Sequence, residues 1–257
     1  MYESIELSQR NARSPSPLNA ITEVPRTLLE MTSLLVSLPS LSRMPRGDNH
    51  AVLVLPGFLA GDRSTSMLRQ YLAYLGYNAL PWGLGRNTGR LDIMQRQLMA
   101  RLTEIFEAHE GGVSLIGQSL GGVYARELSR FLPARIRQVI TLGSPFGVRH
   151  AGAANGLVRR LFESQTGMSV AQMRDAISTQ DPSLTPPVPV TAIYSKADGI
   201  VNWRVCREIR EDHQTENIEV NGSHCGMGFN AQIYRIIADR LAQPTGSWQR
   251  YQDEARG

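Results

Sequence analysis

Lysine is almost missing from this sequence. Lys196 is the only one in 257 residues, so nearly all of the 27 basic side chains are arginines. Set against 23 acids, they leave a net charge of only +4. The arginines are scattered with acids between them, which removes the basic patch that nucleic-acid binding needs. Cysteine is scarce as well, with Cys206 and Cys225 alone. No CxxC pair or other metal-ligand spacing appears, so metal dependence has no support and no cofactor is expected. No apolar run approaches the ~20 residues of a membrane span. Residues 1–13 are polar, without the apolar core of a secretory leader. These absences lead to the expectation of a cytoplasmic protein.

What the chain does have is a hydrophobic fraction of 42%, enough for one large α/β domain. Apolar, β-branched runs at 51–55, 77–80, 136–142, 190–194 and 218–220 read as strands, as does the run that starts at Val113. Between them lie helical patterns at 64–75, 91–109, from Ser119 to about Phe131, 203–210 and 229–242. Alternation of this kind predicts a mostly parallel sheet of about six strands with helices on both faces, a three-layer α/β architecture. Residues 1–25 read as an irregular arm. Residues 26–38 carry Leu28, Met31, Leu35 and Leu38 at helical spacing, with Pro39 to end the helix. That apolar stripe is expected to pack on the domain, or else to cover the site or touch a membrane surface.

The most informative stretch is Val113-Ser114-Leu115-Ile116-Gly117-Gln118-Ser119-Leu120-Gly121-Gly122. A buried strand that turns sharply into a helix accounts for it. Ser119 stands at the apex of the turn, and Gly117 and Gly121 sit where side chains would collide with neighbouring backbone. The hydroxyl is then presented above the sheet, beside the positive end of a new helix. A serine needs a base within hydrogen-bond reach, and the base needs an orienting acid. In parallel sheets such groups lie in loops at the carboxyl ends of strands. Two loops qualify, Ser195-Lys196-Ala197-Asp198-Gly199 and Asn221-Gly222-Ser223-His224-Cys225. They offer Asp198 and His224. His50, His109, His150 and His213 are worse placed, as are Asp181 and Asp212. Developing charge on a substrate oxygen needs two backbone N–H donors. Leu120 supplies one, and the loop Pro56-Gly57-Phe58-Leu59 supplies the other, from Phe58 or Leu59.

The Gly-Gln-Ser-Leu-Gly turn, the Leu-Pro-Gly-Phe loop and the chain order Ser119, Asp198, His224 resemble the α/β-hydrolase superfamily, on its lipase and esterase side. The resemblance spans about residues 51–242. It implies a core at 46–147 and 188–245 and a helical cap insertion at 148–187. An N-terminal arm and amphipathic helix (1–45) and a polar tail (246–257) flank them. It also implies ester hydrolysis through an acyl-serine intermediate. The same triad serves amide or thioester hydrolysis and acyl transfer, and a non-catalytic binding protein could share the fold. The substrate expected is a small acyl ester with a hydrophobic chain. Leu59, Phe146 and Trp203 are candidates for its pocket, with Leu157, Leu161 and Phe162 from the cap. Cys206 and Cys225 flank the site and could form a disulfide that braces the histidine loop.

Overall fold

The run Ala51–Leu55 forms β1, and all five of its side chains are buried. The computed structural model, which describes residues 7–9, 11–147, 153–169, 172 and 184–252, adds β2 (Asn78–Pro81), β3 (Val113–Gln118), β4 (Ile136–Leu142), β5 (Val190–Tyr194) and β6 (Thr215–Glu219). Their order across the sheet is β2-β1-β3-β4-β5-β6, and every neighbouring pair is parallel. A parallel sheet must be covered on both faces, which is why β1 is apolar at every position and β3, β4 and β5 are mostly so.

The covering helices are α1 (Pro17–Ile21), α2 (Glu23–Leu41), α3 (Ser66–Leu75), α4 (Leu91–Ala108), α5 (Leu120–Phe131), α6 (Gly156–Thr166) and α7 (Ala231–Leu241). Strand residues point alternately to opposite faces. Leu53, Leu55 and Leu115 therefore join Leu102 of α4 and Val123 of α5 in one core. Val52, Val54 and Ile116 join Leu34 of α2, Leu72 of α3 and Ile237 of α7 in the other. Each such side chain contributes roughly 1.5–3 kcal/mol when taken fully from water. The predicted stop of α3 at Gly76 is found, with φ at +98°, a left-handed conformation in which other residues are strained.

Several expectations need correction. The described part of the N-terminal arm is not wholly irregular. It includes α1 and is tied to the domain, Gln9 Nε2 donating to Arg207 O at 2.8 Å and Asn202 Nδ2 to Arg13 O at 2.7 Å. Residues 203–210 are not a helix but a 3₁₀ turn, Trp203–Cys206, followed by extended chain. The described part of the tail reaches the edge of the sheet, where the Tyr251 N–H donates to Glu216 Oε2 at 2.8 Å. The strand expected at 218–220 begins earlier, at Thr215. Within the stretch 148–187, expected to be a helical insertion, α6 is a helix, and residues 148–152, 170–171 and 173–183 lie outside the described residues.

The largest correction concerns α2. Leu28 and Leu35 are 60% and 55% exposed, while Leu34 and Leu41 are completely buried. Pro39 lies inside the last turn rather than ending the helix. The inward face begins with Glu23, Thr27 and Glu30, at helical spacing but polar. Hydrophobic periodicity is blind to a face whose partners are loop amides, so it picked out the outward stripe. Residues 26–38 thus carry an exposed apolar surface that includes Leu28, Leu29, Leu35 and Val36. Among the described residues no helix is long and apolar enough to cross a membrane.

Candidate active site

β3 ends at Gln118 and α5 begins at Leu120, which leaves Ser119 alone in the turn with φ +51° and ψ −121°. That conformation is close to glycine-only territory. It is possible because a Cβ is missing at both flanks. On Gly117 it would strike the backbone of Gly122, and on Gly121 the carbonyl oxygens of Leu55 and Pro56. The Ser119 N–H donates to Leu142 O at 2.8 Å, which fixes the turn against the end of β4.

The loop after β1 comes up beside the serine. A Cβ on Gly57 would lie 3.3 Å from that of Ser119. Leu59 has φ +61°, and its N–H donates to Asn87 O at 2.7 Å. That bond removes Leu59 as a donor to substrate and leaves Phe58. Among the described residues the N–H groups of Phe58 and Leu120 make no hydrogen bond within the protein. Sequence reasoning missed what shapes this loop. Asn87 is completely buried. Its Nδ2 donates to Pro56 O at 2.9 Å and its N–H to Ala60 O at 2.8 Å. An asparagine in a glycine-rich stretch reads only as turn composition, so no signal in the sequence singled it out.

At the ends of β5 and β6 the acid and the base meet. Asp198 Oδ2 is 2.6 Å from His224 Nδ1. Asp198 Oδ1 accepts from the N–H groups of Ile200 at 2.8 Å and Val201 at 2.7 Å. The pairing at Nδ1 leaves Nε2 as the nitrogen that can take a proton. The histidine loop reaches back over the serine strand, and Gln118 Nε2 donates to His224 O at 3.2 Å. Gly143, next after β4, lies under the imidazole, where a Cβ would be 3.2 Å from Nδ1. Ser119 and His224 therefore flank the same strand end. No hydrogen bond joins their side chains among the described residues. In unliganded hydrolases that bond is often long and tightens on substrate. Burial works to lower the imidazole pKa, but the charge and hydrogen bond of Asp198, with the charge of Glu23, outweigh it and raise the pKa above its ordinary value.

A serine, a histidine and an aspartate are also in series at the opposite end of the sheet. Ser114 Oγ is 2.9 Å from His50 Nε2, and His50 Nδ1 bonds Asp48. Ser114 is completely buried within β3, with no helix end beside it, so it cannot meet a substrate. Of the other histidines, His109 bonds Asn78 at 3.1 Å and His213 is exposed. Asp212 closes a local turn with Gln214. His150 and Asp181 lie outside the described residues.

The proposed pocket residues scatter. Phe58 meets Phe162 of α6 edge to face, with ring centres 5.1 Å apart. Leu157 and Leu161 point outward, at 76% and 41% exposure. Phe146 is buried beneath the guanidinium of Arg126, 3.8 Å from its ring centre. Arg126 in turn forms a buried ion pair with Glu208. Trp203 stacks on Tyr194 at 5.6 Å, on the outer side of the acid loop. The disulfide is not formed. Cys206 is a buried free thiol and Cys225 an exposed one. Cys206 lies behind the acid loop with its Sγ 3.8 Å from Asn202 O, whereas Cys225 sits beside Glu23. Desolvation and the Glu23 charge push the Cys225 thiol to about 11, so it is no rival nucleophile at neutral pH.

No protein-family model and no curated protein sequence matches the chain. Solved structures do. A metagenome-derived lipolytic enzyme of the LipS and LipT pair aligns at TM-score 0.56 and 14% identity, over 77% of this chain and 93% of its own. An alpha/beta superfamily hydrolase from Oenococcus oeni PSU-1 gives 0.55 and 14%, over 77% and 94%. The 2,6-dihydroxy-pseudo-oxynicotine hydrolase gives 0.59 and 17%, over 78% and 62%. Identities this low speak for architecture alone. With the six parallel strands in their order and the strand–serine–helix turn, that architecture is the α/β-hydrolase fold.

Proposed function

We propose that the chain is a serine hydrolase that cleaves carboxylic esters. The observation that carries this reading is the 2.6 Å bond from His224 Nδ1 to Asp198, at the rim where a left-handed Ser119 lifts its hydroxyl. His224 Nε2 takes the Ser119 proton as Oγ attacks the ester carbonyl, and Asp198 stabilises the imidazolium that results. The N–H groups of Phe58 and Leu120 receive the oxyanion. His224 then returns the proton to the leaving alcohol, and a water activated by the same nitrogen releases the acid. The aromatic pair Phe58–Phe162 beside the oxyanion loop suits an apolar acyl chain. The LipS/LipT enzymes are lipolytic, which agrees with that substrate class.

The test is labelling by a fluorophosphonate probe together with turnover of p-nitrophenyl esters of graded chain length. Covalent labelling at Ser119 and turnover that rises with chain length are expected. A protein that neither labels nor turns over any ester would end the proposal.

The raised pKa of His224 sets the pH dependence. The imidazole must be neutral to accept a proton, so kcat/KM should fall with decreasing pH along a single limb placed above the ordinary imidazole value of ~6.5. The stability linkage has the opposite sense. A folded-state pKa above the unfolded one stabilises the protein fully below ~6.5, and that gain is lost as pH rises through the folded value. The pair is thus strongest where the protein is least active. A pH–rate profile and melting curves over the same range check both. An acid limb below that of free imidazole would contradict the assignment.

A further inference from the structure

α2 is outside the sheet and outside every loop expected to carry chemistry, yet one carboxylate on it reaches both loops of the acid–base pair. Glu23 is 4% exposed. Its Oε1 accepts from the N–H of Gly199 at 2.8 Å, one residue past Asp198, and from the N–H of His224 itself at 3.0 Å. Its Oε2 accepts from the N–H of Cys225 at 3.0 Å. Three main-chain donors from two separate loops therefore converge on one side chain. The guanidinium of Arg26, one turn on, donates to Glu23 Oε1 at 3.2 Å and to Ala197 O at 2.8 Å. Contacts of the same kind continue along this face. Thr27 Oγ1 is 3.1 Å from Ser223 Oγ. Glu30 Oε1 accepts from both the N–H and the Oγ of Ser223 at 2.7 Å.

We propose that Glu23 is a positioning residue of the active site, which holds the Asp198 and His224 loops in register through their backbone amides. This deepens the serine-hydrolase reading and rests on it. The chemistry calls for a carboxylate. Three N–H donors need an acceptor with two oxygens and spare lone pairs. A carboxamide of the same shape keeps one oxygen and turns an NH₂ toward an amide that also donates. It also removes a negative charge from beside the imidazole. The acidic groups that face His224 are Asp198 from the acid loop and Glu23 from α2, with Arg26 paired to the latter and the neutral Cys225 thiol next in sequence.

The experiment compares wild type, Glu23→Gln and Glu23→Asp in full-length protein. Readouts are fluorophosphonate labelling rate, kcat and KM on a p-nitrophenyl ester, the pH–rate profile and the melting temperature. Glu23→Gln is expected to lower kcat by about 10- to 100-fold, the loss usual when an outer partner of a reacting group goes. KM should change little, and the acid limb should move to lower pH. Glu23→Asp keeps the charge, so its limb should stay near the wild-type place, but the side chain is one methylene too short to reach both loops, so its kcat should still fall. A Glu23→Gln variant with wild-type kcat and an unmoved limb would overturn the proposal. So would one that loses kcat only in proportion to folded protein, with the limb unmoved. If Glu23→Gln does not fold, a Glu23→Asp variant that folds with wild-type kcat and labelling rate overturns it equally. Failure of wild type itself to label would instead count against the hydrolase reading.

Discussion

Ser119→Ala should lower kcat by about 10⁴- to 10⁶-fold while leaving the fold intact. Alanine removes only the hydroxyl. The turn is held by the glycines at 117 and 121 and by the Ser119 N–H bond to Leu142, none of which involves Oγ. KM should stay within a few-fold, and circular dichroism and melting temperature should barely move. The internal control is Ser114→Ala. Ser114 stands in the same hydrogen-bonding order with His50 and Asp48, but it is sealed inside β3. It should keep wild-type turnover and probe labelling. If Ser119→Ala retains near-normal esterase activity, the nucleophile is misassigned. If Ser114→Ala abolishes labelling, burial is no guide to reactivity in this protein.

The largest stability effect is expected at Arg126 and Glu208. Their side chains are 1% and 0% exposed. Arg126 Nη2 also donates to Leu184 O at 3.0 Å, and Glu208 Oε2 accepts from Thr185 Oγ1 at 3.2 Å. Arg126→Met leaves a carboxylate buried without its cation, and breaking such a pair costs about 3–5 kcal/mol. Domains are stable by only ~5–15 kcal/mol, so this one change removes about a fifth of the total or more. The double variant Arg126→Met/Glu208→Leu removes both charges and should recover most of the loss, because an apolar replacement of a buried pair is often neutral or better. Urea unfolding with an unchanged m-value reads these differences directly. A single variant within about 1 kcal/mol of wild type would mean that the carboxylate finds other compensation.

The sheet was legible because burial on two faces writes itself into composition. Ala51–Leu55 and Val190–Tyr194 are apolar or β-branched at nearly every position, and they are strands to the residue. The serine turn was legible because its geometry demands glycines at fixed offsets. Asp198 and His224 followed from topology, since each stands just beyond a strand. The features that stayed hidden share a cause. Glu23, Thr27, Glu30 and Asn87 act on backbone amides and carbonyls, which carry no residue identity. A chain of letters cannot show which main-chain group a side chain will find. The disulfide failed for a related reason, because nearness of two cysteines to one site does not give the geometry of a bond.

Ser119 and Leu59 both hold left-handed backbone angles without being glycine, and both border the proposed reaction centre. Such angles cost of order 1–3 kcal/mol each. A glycine at 119 would relax into its turn, with some of that gain offset by greater freedom in the unfolded chain. The inert protein would then be at least as hardy as the working one. Selection for heat tolerance alone would therefore drift toward silencing this centre, and a screen for sturdier forms has to keep turnover as a second gate.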